Sequence, residues 1–202
     1  MTPFEWELKY PALMYGSDMQ LLATLVSHLP ANSKIVEIGS KVGGSAKIIL
    51  DHAPKSASLY CIDAEWQYTK DDDSSMYLYM PSILERFPEI LNYNSTYSYA
   101  KELLSGYTNV TLIPAESPKD VQDWDKMVDF VFEDSDHSNP TLHDNIKFWW
   151  DKLNNDGIMA GHDYNDQFPD VIYEANLLAD QEGCELHVEG ETWWVVKKSK
   201  EI

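Results

Sequence analysis

Arginine is almost missing from this sequence: Arg86 is the only one in 202 residues. Forked recognition of a phosphate or carboxylate therefore has a single donor of that kind. Positive charge is scarce altogether, with 15 Lys and Arg against 34 Asp and Glu and a formal net charge of −19. Nucleic-acid binding rests on Lys and Arg placed against phosphates, so a surface of this sign repels a polyanion, and an anionic membrane likewise. The acid excess reads either as solubility or adaptation to salt, or as attraction for a cationic ligand or a divalent metal. Cysteine is nearly absent too. Cys61 and Cys184 lack metal-like spacing and read as free core thiols, which fits a reducing compartment. No apolar run is long enough to span a bilayer. The N-terminus lacks the basic region and apolar core of a signal peptide, so a cytoplasmic location is expected.

What is present is an alternation of strands and helices, enough for one core and one domain over 1–202. Residues 1–16 carry no clear period. Ser17 is expected to cap a helix, with Gln20 in the capping-box position and Leu21, Leu22, Leu25, Val26 and Leu29 at helical spacing. Strands are expected at Ser33–Ile38, Leu59–Ile62, Val110–Ile113, Phe130–Phe132 and Ile158–Ala160. Helices are expected over Tyr97–Leu104, Pro140–Leu153 and Pro169–Ala179, with a short turn at Val121–Trp124. Gly157 looks like the glycine C-cap of the 140–153 helix. Glu185–Val188 and Thr192–Val196 read as a closing antiparallel hairpin. This pattern predicts an α/β fold: a Rossmann-like, open, mostly parallel seven-stranded sheet with helices on both faces. Ligands in such sheets sit beyond the carboxyl ends of the strands. Glu37, Asp63, Asp134 and Asp163 all fall at such ends.

The segment Ile35-Val36-Glu37-Ile38-Gly39-Ser40-Lys41-Val42-Gly43-Gly44-Ser45 reads as a buried strand, a glycine turn and a helix start. Such a turn lets the backbone approach a nucleotide-like cofactor. The nicotinamide fingerprint Gly-x-Gly-x-x-Gly is broken where Lys41 replaces its middle glycine. The pattern Glu-Ile-Gly-x-x-x-Gly-Gly-Ser instead resembles the class I S-adenosylmethionine-dependent methyltransferases. Within that class it resembles the bacterial small-molecule O-methyltransferase branch that includes macrocin methyltransferase and the cephalosporin-pathway methyltransferase-like proteins. Asp134-Ser135-Asp136-His137-Ser138 resembles that branch's Asp-Gly-Asp-His-Ser, and Gly161-His162-Asp163 its Gly-x-His-Asp. The likeness covers about Ser17 to Lys198 except 66–96. A more distant one, to catechol O-methyltransferase, lies in the strand-end acid and the polar pair after the next strand.

The resemblance implies a site. Glu37 with Gly39, Gly43 and Ser45 would hold the amino-acid end of the cofactor. Asp63 would accept both hydrogen bonds of the ribose diol, or else serve as a turn residue. Glu116 and Ser117 would border the adenine. Asp134 would serve the cofactor side, catalysis and metal alike. With Asp163, and with His162 where the catechol enzyme has Asp, it would chelate one divalent cation, magnesium or another. His137, where the catechol enzyme has a lysine, is either the general base for an acceptor hydroxyl or a loop-orienting residue. Asp136 caps a turn or joins the metal. Residues 66–96 either fold over the crevice as a lid, with Trp66, Tyr68, Met76, Tyr77, Tyr79 and Met80 walling a small-molecule acceptor, or make a homodimer contact. Asp71 to Asp73 form a solvated loop or a second metal site. Three function classes stand at this point: O-methylation of a sugar-like or phenolic hydroxyl, nicotinamide-dependent oxidation–reduction, and non-catalytic cofactor binding.

Overall fold

A computed structural model describes residues 1–71 and 80–198. Asp72, Asp73, Met76, Tyr77 and Tyr79 lie outside them. Two helices come first, α1 (Pro3–Lys9) and α2 (Gly16–Ser27). The first had no visible period, yet its start is written in the sequence. Thr2 accepts from the Glu5 amide, Glu5 accepts from the Thr2 amide, and Pro3 opens the helix. Ser17 does not cap the second helix, whose N-cap is Tyr15. The chain turns two residues earlier because Gly16 packs on the Pro3 backbone, where an added Cβ would stand 1.9 Å from the Pro3 carbonyl oxygen.

The sheet then builds in chain order: β1 (Lys34–Ile38), α3 (Gly44–His52), β2 (Ser58–Asp63), α4 (Pro81–Arg86), α5 (Thr96–Leu103), β3 (Val110–Pro114), β4 (Val128–Glu133), α6 (Thr141–Lys152), β5 (Leu153–Gly161), α7 (Pro169–Glu182), β6 (Leu186–Glu189) and β7 (Thr192–Val196). The seven strands lie in the order β3-β2-β1-β4-β5-β7-β6. All neighbours are parallel except β7, which runs antiparallel to β5 and β6. The central strands are apolar at successive positions because both faces are covered. Ile35, Leu59, Cys61, Phe130 and Phe132 point into the core under α2 and α3, and Val36, Ile62, Val131 and Met159 into the core under α6 and α7. Both cysteines are free and Cys61 is buried. Among the described residues no helix is long and apolar enough to cross a membrane.

Gly157 is not a helix cap. The helix α6 ends at Lys152 and passes directly into β5, with Lys197 Nζ donating to the carbonyls of Trp150 (2.7 Å) and Leu153 (2.8 Å). A lysine from the last strand thus satisfies groups that a glycine turn would otherwise serve. The glycine cap stands at the end of α7, where Gly183 takes a left-handed φ of 62°.

Candidate active site

The carboxyl ends of β1, β2, β4 and β5 meet in one crevice. Hydrogen bonds carry the ladder one step beyond the strands: Gly39 N–H to the Ile62 carbonyl, Asp134 N–H to Ile38, and His162 N–H to Glu133, at 2.9, 2.9 and 3.2 Å. The chain has to leave β1 sharply. Gly39 has φ +88°, and a Cβ there would lie 2.0 Å from the Asp134 carbonyl oxygen. A neighbouring strand end demands glycine here. Gly43 (φ +82°) is the residue before α3, and a Cβ there would meet Ala100 at 3.3 Å. No side chain caps α3, which leaves its first amides uncapped among the described residues.

Glu37 is fully buried below this turn. One carboxylate oxygen accepts from the Ser40 hydroxyl, and the other, Oε1, has no partner. Burial pushes the carboxyl up to about 7, with the Ser40 hydroxyl acting the other way. Asp63 is committed to the turn itself. Its two oxygens accept the backbone amides of Lys41 (2.6 Å) and Glu65 (2.7 Å). Burial, partly offset by the Lys41 amide, raises it to about 6. Lys41, at φ +46°, sends its ammonium to Glu65 (2.9 Å), and its carbonyl accepts from Trp66 Nε1 (2.6 Å). Ser117 accepts from the buried Trp149 indole at 2.9 Å, and Glu116 pairs at the surface with Lys119 at 2.7 Å.

The other half of the crevice is built from side chains. Asp134, His162 and Asp163 offer donor atoms all within 4.8 Å of one another. His162 Nδ1 is buried without a hydrogen bond, 3.5 Å from Asp163 Oδ1 and 4.0 Å from Asp134 Oδ1. Its Nε2 faces Asp18 Oδ2 of α2 at 3.4 Å. His137 Nε2 lies 2.7 Å from Asp163 Oδ2 and 3.9 Å from Asp134 Oδ1, with its ring against Phe168. Burial works against charge on both imidazoles, but the surrounding carboxylates outweigh it and push each up to about 10. Burial likewise opposes ionisation of Asp163, yet the two histidines hold it below the usual carboxylate range. Asp134 moves the other way, raised chiefly by burial. Glu133, unnoticed in the sequence, is buried beside them and raised by burial to about 8. Asp136 is a turn residue, accepting from the amide and hydroxyl of Ser138.

His162 and Asp163 line a cleft of about 770 Å³. Its apolar wall comes from Phe4, Leu8, Leu13, Met14 and Tyr15, with Ser82, Glu85 and Arg86 also lining it. Arg86 binds the Glu7 carboxylate and carbonyl at 3.1 and 3.0 Å, tying α4 to α1. Among the described residues the apolar wall of this cleft comes from the N-terminal segment. Trp66 is buried beside the turn, Met80 is buried in a small core with Val42, Ile83, Ile90 and Tyr99, and Tyr68 is half exposed.

Solved structures with the same fold include the precorrin-6y C5,15-methyltransferase of Geobacter metallireducens. It is 14% identical, with a TM-score of 0.63 over 93% of this chain and 90% of that one. They also include an S-adenosylmethionine-dependent O-methyltransferase of Thermotoga maritima, 13% identical, with a TM-score of 0.61 over 94% and 68%. A Streptococcus mutans protein crystallised with S-adenosylhomocysteine is 15% identical, with a TM-score of 0.60 over 89% and 97%. No curated protein sequence matches the chain. Residues 36–164, which run from β1 through the strand-end acids of β5, match the family described as methyltransferase domain. The match sets aside the nicotinamide reading: the chain belongs to that family and is an S-adenosylmethionine-dependent methyltransferase.

Proposed function

We propose that this enzyme methylates a hydroxyl of a small-molecule acceptor, assisted by a divalent cation. The reading rests on the cluster of Asp134, His162 and Asp163, the last two of which line an apolar-walled cleft. The cofactor half suits the methionyl end of S-adenosylmethionine. The uncapped amides of α3 suit its carboxylate, and the unpartnered Glu37 Oε1 suits its ammonium. Asp63 keeps lone pairs for the ribose diol after binding two amides, since an ionised carboxylate has about four acceptor positions.

Methyl transfer is an in-line displacement. The acceptor oxygen attacks the methyl carbon, the carbon–sulfur bond breaks, and the hydroxyl proton must leave. Positioning and deprotonation are the protein's share. The donor set fits a cation, because two carboxylates and a buried imidazole nitrogen without a hydrogen bond converge. One imidazole among the ligands suits manganese, iron or zinc better than magnesium. A bound cation would acidify an acceptor hydroxyl and neutralise the carboxylates that keep His137 charged. His137 Nε2, 2.7 Å from Asp163 Oδ2 and without a hydrogen bond, is the nitrogen that receives the proton. The acceptor is neutral or cationic. Glu7, Glu85 and Glu191 line the cleft with Asp163, and the guanidinium of Arg86 is already taken by Glu7.

Turnover over a panel of neutral, amine-bearing and phosphorylated phenols and sugars tests the reading, with and without chelator. Support would be activity confined to the first two groups, lost on chelation and restored by manganese or magnesium. Activity untouched by exhaustive chelation would mean that Asp134 and Asp163 bind the acceptor directly.

A further inference from the structure

We infer that Asp18, more than a hundred residues away in sequence, is the positioning residue for His162. The inference deepens the reading of the Asp134–His162–Asp163 cluster as a cation site. Asp18 sits in the first turn of α2 and is 1% exposed. Such burial of a carboxylate requires partners. It has two, one on each oxygen. Oδ1 accepts the backbone amide of Glu191 at 3.3 Å, and Oδ2 faces His162 Nε2 at 3.4 Å. Gly190 is pressed on the same carboxylate, with room for no Cβ: one would stand 2.1 Å from Oδ1. The turn between β6 and β7 therefore fixes which way the carboxylate points.

The consequence lies on the imidazole. A carboxylate can only accept, so Nε2 must carry the proton. In the neutral ring that a cation requires, Nδ1 is then the nitrogen that lends a lone pair, and it is the one that is buried, without a hydrogen bond, beside Asp134 and Asp163. A carboxylate behind a ligating histidine sets the tautomer and the ring orientation in this way. The Glu191 amide makes the arrangement directional. In Asp18→Asn the amide oxygen must face the Glu191 N–H, which leaves the –NH₂ group facing His162. Nε2 must then accept, and the proton moves to Nδ1. The shape of the site survives while its third ligand is blocked.

The test compares wild type and Asp18→Asn by ¹⁵N NMR of the histidine rings in the metal-free protein, at a pH above about 10 so that the His162 ring is neutral, and by calorimetric titration with Mn²⁺. Expected are a protonated Nε2 at His162 in wild type, a bare Nε2 in the variant, and Mn²⁺ binding weaker by about 10- to 100-fold. An Nε2 that keeps its proton in Asp18→Asn, or unchanged Mn²⁺ affinity where wild type binds the ion, overturns the inference. Should wild type bind no Mn²⁺ while the tautomer still switches, Asp18 positions His162 and the cation reading alone fails. If the variant does not fold, wild type decides. A His162 Nε2–H slow to exchange with water supports the role, and an unprotonated Nε2 in wild type rejects it.

Discussion

The two halves of the crevice are built on different principles. The cofactor half, at the ends of β1 and β2, is largely backbone. Its parts are a turn forced by Gly39, the uncapped amides of α3, and Asp63 pinning two amides of the loop. Its residues lie within 37–65 and could be found by reading along the chain. The acceptor half, at the ends of β4 and β5, is side chain throughout. It draws Asp134 and His137 from one loop, His162 and Asp163 from another, Asp18 from α2 and the apolar wall from α1 and the segment that joins it to α2. Backbone binding sites are specified by local geometry, whereas a charged cluster has to be assembled by the order of strands.

Gly39 is where the halves touch, so its substitution should break both. Gly39→Ala drives a Cβ into the Asp134 backbone. A loss of about 3 kcal/mol or more of stability is expected, measured by chemical denaturation. Near-wild-type stability would mean the halves are less tightly joined than their contact implies. Next in size, His137→Ala should act on the acceptor half alone. Turnover should fall by on the order of 10²-fold with cofactor affinity unchanged in calorimetry. If turnover survives, His137 only shapes its loop.

Asp63→Ala should do the opposite, weakening cofactor binding by about 1.5–3 kcal/mol. It should also cost stability, because two amides lose their acceptor. Asp63→Asn, which keeps an acceptor oxygen, separates the two effects: a variant of native stability that still binds weakly marks contact with the cofactor.

Glu37 supplies a pH test of the cofactor half. Its carboxyl is protonated below about 7 in the free protein. Between its ordinary value of 4.5 and about 7 the folded protein therefore holds more protons than the unfolded chain, and this group's contribution to stability falls as pH rises through that window. An ammonium ligand favours the ionised form. Cofactor affinity should then rise with pH, about tenfold per unit below 7, and level off above it. In Glu37→Gln the dependence should vanish. A flat wild-type profile would show that the ammonium lies elsewhere. The smallest effect belongs to Lys41→Gly, which removes the pair with Glu65 and relieves a positive φ. These oppose each other, and the net change in melting stability should stay within about 1 kcal/mol.

Legibility followed the same division. The strand ends Glu37, Asp63, Asp134 and Asp163 were marked by short apolar runs that stop at an acid, because a strand buried on both faces must be apolar until it leaves the sheet. The motif around Asp134 and His137, and the pair His162 and Asp163, were visible for that reason and through family resemblance. The capping box of Thr2 and Glu5 went unread, because residues 1–16 have no hydrophobic period to point to a helix. The caps at Ser17 and Gly157 were misread, since close backbone contact at Gly16 and a distant lysine, Lys197, decided those ends. Each of those partners lies outside the local window in which cap signals operate.

Sequence alone determined the alternation of strands and helices, the two-faced burial of the sheet and the sites where acids leave it. These follow from periodicity and local backbone chemistry, which act over a few residues. Only the tertiary structure decided that Gly39 answers to the Asp134 backbone, that Arg86 is spent on Glu7, and that Asp18 stands behind His162. Those contacts depend on which strands are neighbours and on where α1, α2 and the β6–β7 turn come to rest. Hydrophobic burial fixes such an arrangement across the whole chain, and no local pattern records its partners.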